Sequence, residues 1–233
     1  MNGRYRTVSA AGAAAAVLWL LAGMTAVILW MAGNGGLMAR EMLACAPPEA
    51  TGLPEEEYEG VCRMTAAFLT DGGAERFQYE IPGPDGTSIP CFNDREAAHM
   101  ADCCGLIRLD RTVMWITLAG AVVLAGLYGF YRKDRGSRRA FRRGIRRGLL
   151  GTGILAAGLI IWALVNFDGL FITFHRVAFS NDGWLLDPRT DLLIRLMPTE
   201  FFIRLGVKGL LLFLIVPALL VIAAAWRMGK DTE

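Results

Sequence analysis

Apolar residues in this chain gather into four long blocks, and the polar stretches between them are very unequal in length. The blocks run from Ala10 to Met31, Thr112 to Tyr131, Leu149 to Val165 and Gly209 to Trp226. Each matches the roughly 17–25 mostly apolar residues that a helix needs to cross a hydrocarbon core. The first is longer than the h-region of about 7–15 residues in a signal peptide, so it reads as a helix that stays. Pro217, inside the fourth, is expected to kink that helix without breaking it. The pattern predicts an α-helical integral membrane protein with four transmembrane helices.

Between the blocks the pattern changes. "LPEEEYEGVCRMTAAFLTDGG" reads as a helix, with Pro54 and acids at its start, Tyr58, Val61, Cys62 and Ala66 at helical spacing, and Gly72 and Gly73 at its close. "EIPGPDGTSIPC" carries P-G and D-G turn signals and predicts a short hairpin. "FNDREAAHMADCCGLIRLDR" reads as a second helix, capped by Asn93 or Asp94 and leading into the second apolar block.

Charge orients this plan. The segment "RKDRGSRRAFRRGIRR" holds nine Lys or Arg and one Asp. A short connection this basic is expected on the cytoplasmic side, and the basic ends "MNGRYR" and "RMGK" agree with an even number of spans. Topology accounts for these arginines better than nucleic-acid binding does. Trp30, Trp115 and Trp162 fall near the expected outer interface and Trp226 at the inner one, as an aromatic belt would.

The expected order is therefore a cytoplasmic N-terminus (1–9), span one (10–31), an extracytoplasmic cysteine-containing cap (32–111), span two (112–131), a basic cytoplasmic loop (132–148), span three (149–165), a second outer loop (166–208), span four (209–226) and a cytoplasmic tail (227–233). Composition is consistent with this: 54% hydrophobic residues with 20% charged is too apolar for an ordinary soluble domain. The cap is acidic, with 14 Asp or Glu against 6 Arg.

The cap also holds every cysteine: Cys45, Cys62, Cys91, Cys103 and Cys104. An oxidising compartment makes all five disulfide candidates, and an odd count leaves one over. The pairs cannot be assigned from spacing.

The chain has two histidines, and this topology puts both outside: His99 before span two and His175 after span three. Histidine is the natural proton carrier near neutral pH. Each stands near carboxylates that could orient it: Asp102 at i+3 from His99, and Asp191 among the acids after His175. Three other readings stay open. Two histidines and an aspartate could hold zinc in a metal-dependent hydrolase, although no HExxH spacing is present. The vicinal Cys103–Cys104 could serve thiol–disulfide exchange, and His99 with Cys103 could form a Cys-His nucleophile pair. The cap could also be a non-catalytic docking surface.

Two stretches carry a resemblance. "REAAHMADCCGLI", and some 70 positions later "FDGLFITFHRVAFSNDGWLLDPRTDLLIRLMPTEFF", resemble the lipoprotein intramolecular transacylase (Lit) family of small bacterial membrane proteins. The shared elements are E-x-x-H-M-x-D in the first, and F-H, F-x-N-x-x-W, D-P-x-x-D-L-L-I and P-x-x-F-F in the second. The cysteine-rich cap departs from the expected family pattern. The resemblance implies a multi-pass protein of the bacterial cytoplasmic membrane, with its active site at the outer face. Its partners would be diacylated lipoproteins and membrane lipid, and its catalytic residues His99 and His175. The implied reaction moves the sn-2 acyl chain of a diacylglyceryl-cysteine to the α-amino group of the same cysteine, giving a lyso-form lipoprotein.

That chemistry suits these residues. Ester to amide is downhill, so no nucleotide, metal or other cofactor is expected, and the chain has no phosphate-binding fingerprint. Holding amine and ester together could supply about 7–11 kcal/mol. What remains is to take a proton from an amine of pKa about 7.7–8 and return one to the glycerol oxygen. His99 is expected to lead, with His175 as second proton carrier. Asn181 is a candidate oxyanion donor, and Phe171, Phe174, Phe179 and Trp184 are candidates for the acyl pocket.

Overall fold

The computed structural model describes residues 3–71, 76–83, 85–131 and 134–230; the side chains of 71, 130, 131 and 216–230 are not among those described. Most of the chain is helical. In order the elements are α1 (Gly3–Ala32), α2 (Gly35–Cys45), α3 (Pro48–Thr51), a 3-10 turn (Glu55–Glu57), α4 (Tyr58–Asp71), β1 (Glu80–Pro82), β2 (Ser88–Pro90), α5 (Asp94–Tyr131), α6 (Arg135–Val165), α7 (Phe167–Ala178), α8 (Leu192–Leu196) and α9 (Thr199–Lys230). They form two compact units, one of residues 1–26 and 108–177, the other of residues 27–107 and 178–233.

The first unit holds most of α1, the apolar part of α5, and α6 and α7. Small residues let α1 and α6 approach. A side-chain carbon added at Gly144 would collide with the Ser9 carbonyl, and one at Gly148 would lie 2.6 Å from the Ala13 carbonyl oxygen. Close approach of glycine and alanine faces is how helices associate in lipid, where apolar burial gives no drive. Val8, Ala140 and Phe141 are buried at the far end, with Tyr128 stacked on Phe141 at 4.1 Å. Outward, the helices present leucine, isoleucine, valine and tryptophan: Leu150, Ile154, Leu155 and Ile161 are exposed, as are Trp19 and Trp115. In water such faces would drive aggregation; in lipid they are the solvated surface. Among the described residues three helices are long and apolar enough to cross a membrane, Gly3–Ala32, Asp94–Gly129 and Arg135–Val165. The fourth block, 209–226, lies in α9, but its side chains beyond 215, with Pro217 and Trp226, lie outside the described residues.

The second unit is mostly helical, with a core of its own. Met38, Met42, Leu53, Tyr58, Val61, Cys62, Phe68, Phe77, Phe92, Met100, Leu196 and Phe201 are buried together, and Phe77 packs against Phe68 and Phe92. Helix α4 begins after the acid-rich 3-10 turn, so the expected helix is present; Gly72 and Gly73 lie outside the described residues. The expected hairpin is also present, with Ile81 opposite Ile89. The Tyr58 hydroxyl donates to the Ala46 carbonyl at 2.5 Å and pairs with Thr51 at 2.7 Å, which holds the α2–α3 turn on α4. Buried Glu41 of α2 receives Lys208 of α9 at 3.1 Å.

Two boundaries differ from the sequence reading. From Arg135 onward the basic segment is not a loop but the first turns of α6. The Asp134 side chain caps that helix, accepting from the Ser137 and Gly136 amides at 2.9 and 3.2 Å. Small residues every three or four positions give it a face to bury, and that favours helix over loop. The second outer segment is not a simple loop either, since it contains α7, α8 and the start of α9.

Candidate active site

In the second unit the first motif opens α5. Asn93 is its N-cap: Oδ1 accepts from the Arg95 and Glu96 amides at 2.9 and 3.1 Å. Glu96 reaches back, Oε2 accepting from the Asn93 amide at 2.7 Å, which completes a capping box. Its other oxygen, Oε1, accepts from the Leu193 amide at 2.6 Å, 97 positions away. Leu193 lies in the first turn of α8, whose own N-cap residue, Asp191, makes no side-chain cap bond. One buried carboxylate thus caps two helices. Burial raises the Glu96 carboxyl above its ordinary value, and the Leu193 and Asn93 amides pull it partly back.

Asp191 closes the ring. Its Oδ1 accepts from Asn93 Nδ2 at 2.8 Å and from the Thr190 hydroxyl at 2.9 Å, and its Oδ2 accepts from the Asp187 amide at 2.8 Å. Burial alone would raise the Asp191 carboxyl; the bonds to Asp187, Asn93 and Thr190 outweigh it and hold the group below its ordinary value. Further along α5, Asp102 accepts from Asn181 Nδ2 at 2.9 Å, while Asn181 Oδ1 accepts from the Gly183 amide at 2.9 Å. The expected roles of these three residues change accordingly. Asp102 and Asp191 direct their carboxylates to amides and a hydroxyl, not to an imidazole. Asn181 gives one amide hydrogen to Asp102 and uses its carbonyl oxygen to hold a turn. Together they fasten the second motif along α5.

His99 stands on α5 between these fastenings. It is buried, at 8% exposure, with the Phe179 ring edge-on at 5.2 Å and Cys103 Sγ 3.7 Å from Nε2. An aromatic wall keeps water from one side of the imidazole. Phe179, expected in an acyl pocket, therefore packs directly on His99; Trp184, in the same segment, is half-buried.

In the first unit α7 carries the other histidine. His175 is buried at 7% exposure, and its Nδ1 lies 2.8 Å from the Phe171 carbonyl oxygen. A carbonyl can only accept, so Nδ1 carries the hydrogen and Nε2 is the acceptor nitrogen of the neutral ring. The Phe171 and Phe174 rings flank it, with centroids at 4.2 and 5.4 Å. Phe174 is 53% exposed with Ile172 and Val177 beside it on α7, an apolar surface around the histidine.

All five cysteines are free thiols, which replaces the disulfide expectation. They sit on or beside helices with partners at hand: Cys45 donates to the Glu41 carbonyl, Cys62 contacts Met42 Sδ at 3.3 Å, and Cys104 donates to the Phe68 carbonyl at 3.4 Å. Vicinal Cys103 and Cys104 point to different neighbours, as a helix requires of i and i+1. Burial pushes the thiols of Cys62 and Cys103 up to about 12 and that of Cys91 up to about 11. None of these three is a ready nucleophile.

Sequence reasoning missed Asn93 and Glu96 as site-building residues. The N-x-x-E capping pattern was the available signal, and it marks a helix start without revealing the second helix that Glu96 serves.

Comparisons with known proteins agree with this architecture. No curated protein matches the chain significantly. The family described as lipoprotein intramolecular transacylase Lit matches residues 12–202. Among solved structures, the membrane integral lipoprotein intramolecular transacylase Lit from Bacillus cereus, determined in meso, matches with a TM-score of 0.70 at 20% identity, over 100% of this chain and 99% of that one. The same Bacillus cereus protein with one histidine replaced by arginine matches with a TM-score of 0.64 at 21% identity, over 98% of this chain and 94% of that one. At that identity the structural likeness speaks for a shared membrane-protein fold, and the match along most of the sequence speaks for kinship: this chain belongs to the lipoprotein intramolecular transacylase family, a family of acyltransferases.

Proposed function

We propose that this protein carries out intramolecular O-to-N acyl transfer on diacylated lipoproteins at the outer face of the bacterial cytoplasmic membrane, using His99 and His175 as proton carriers. The observation that carries the reading is the pairing of two buried histidines with the family's two motifs. His99 is held between fastenings that tie those motifs together, and His175 has its tautomer set by the Phe171 carbonyl.

In this reading the substrate's α-amino nitrogen attacks the sn-2 ester carbonyl of its own diacylglyceryl group. The N–C bond forms, the bond to the glycerol oxygen breaks, and one proton passes from nitrogen to that oxygen. No protein nucleophile is needed, in keeping with the high thiol values. Nε2 of His175 is the better prepared acceptor of the amine proton, and His99 exchanges a proton with the leaving glycerol oxygen. The sequence reading gave His99 the lead; the Phe171 bond favours His175 for the first step. Such catalysis is worth roughly 10²–10⁴-fold for each proton transfer. The exposed aromatic face of α7 suits a lipid ester.

The topology we propose has four spans, with α9 supplying the fourth, both termini on the cytoplasmic side and the cap outside. Mass spectrometry of a reporter lipoprotein's N-terminal peptide tests the activity, in a host lacking other N-acylating enzymes. An N-acyl, S-monoacylglyceryl cysteine is expected with the wild type, and its loss with His99→Ala and with His175→Ala. A diacylglyceryl cysteine with a free amine, despite normal accumulation of the wild-type protein, would overturn the proposal.

A further inference from the structure

Helix α6 opens against the usual rules of its own first turns. Acidic side chains are favoured at a helix N-terminus, where the macrodipole is positive. Here the first turns carry Arg135, Arg138, Arg139, Arg142, Arg143, Arg146 and Arg147, with no acidic residue in the first turn and only Asp134 at the cap. Like charges at i, i+4 repel as well.

The arginines are sorted by face. At 100° per residue, Arg135, Arg139, Arg142 and Arg146 follow spacings of four, three and four and form one stripe, about 16 Å long at 1.5 Å per residue. The opposite face is Ser137, Ala140, Phe141, Gly144 and Gly148, all buried. Arg135, Arg139, Arg142, Arg143, Arg146 and Arg147 are exposed. Among the described residues none of these six has a carboxylate partner. Along the same stripe the next positions are Leu149 and Gly153, and Leu149, Leu150 and Ile154 are exposed. The helix surface changes from arginine to hydrocarbon within one turn, where headgroups give way to acyl chains.

We propose that this arginine face binds the phosphates of anionic phospholipids in the cytoplasmic leaflet. The repulsion along the stripe has no neutralising group among the described residues, so the counter-charge comes from outside. Continuity with a lipid-exposed apolar surface selects a headgroup over a soluble anion. Arginine suits the task, because its planar fork can pair two phosphate oxygens at once. Its test does not depend on the acyl-transfer reading.

The test uses the full-length protein in nanodiscs of phosphatidylcholine containing about a third phosphatidylglycerol, with retained lipids counted by native mass spectrometry after gentle extraction. Wild type should retain phosphatidylglycerol in preference to phosphatidylcholine. The preference should fall about tenfold or more when Arg135→Gln, Arg139→Gln, Arg142→Gln and Arg146→Gln are combined, and survive in part in the matching set of Arg→Lys changes. Equal retention by the glutamine variant would overturn the proposal, as would displacement of the lipid by inorganic phosphate or a duplex oligonucleotide at equal phosphate concentration. Should the glutamine variant fail to accumulate, a phosphatidylglycerol analogue with a photoreactive headgroup decides on wild type. Labelling within residues 135–147 supports the proposal, and labelling only elsewhere refutes it.

Discussion

Glu96→Ala is the most informative perturbation of the cap. It removes two acceptors at once: the one for the Asn93 amide at the start of α5 and the one for the buried Leu193 amide in α8. A buried N–H left without a partner costs about 1–3 kcal/mol. That cost falls on the Leu193 amide; the Asn93 amide stands at an exposed helix start and can turn to water, and releasing a carboxylate whose burial is itself unfavourable returns part of the loss, leaving about 1–3 kcal/mol in all. For a chain of this length that corresponds to a melting temperature lower by about 3–10 °C. Glu96→Gln keeps the shape and one acceptor oxygen and should lose about half as much. Thermal unfolding in a neutral detergent reads the first effect. Amide hydrogen exchange reads the second, because the Leu193 segment should exchange faster in the alanine variant while the core of α4 stays protected. A loss below about 1 kcal/mol, or unchanged exchange at Leu193, would refute the argument that Glu96 caps both helices.

Other expectations follow from the same geometry. The folded Asp191 carboxyl titrates below its unfolded value of about 3.9, so its stabilisation is fully present above that pH and is lost as pH falls through the folded value; in acid-unfolding curves, Asp191→Asn should flatten the fall below about pH 4. Glu96, shifted upward, has the opposite sign and favours the fold in acid, so Glu96→Gln should not flatten that limb. Mass measurement after alkylation in denaturant without reductant should count all five thiols free, and native Cys62 should react on the order of 10³-fold more slowly than free cysteine near pH 7.5, given its value of about 12; any bridged pair would contradict this. Gly148→Val should force α1 from α6 at Ala13 and cost about 1–3 kcal/mol, read as a lower melting temperature; an unchanged value would mean the two helices do not pack at this point.

The sequence by itself determined a good part of this protein. Apolar block length marked its helices, since hydrocarbon thickness leaves little choice of length. The cap of α5 at Asn93, the α4 helix and the hairpin were all legible, because each is a local contest between neighbouring residues. The two motifs pointed to the family and to the histidines. The roles of the acids were not legible. Asp102, Asn181 and Asp191 stood near histidines in the sequence, yet their partners are each other's segments: Asn181 is 79 positions from Asp102, and Asp191 is 98 from Asn93. A carboxylate binds an amide as readily as an imidazole, and only the packing of α8 and its flanking turns against α5 decides which is within reach. The cysteines teach the same lesson, since composition and compartment favoured bridges while side-chain direction on the helices gave Cys45, Cys62, Cys103 and Cys104 other neighbours. The basic segment was read for its charge, but its small residues at every third and fourth position made it a helix once α1 was there to receive them. Periodicity tells which face of a helix is special; what lies across from that face is a property of the folded chain alone.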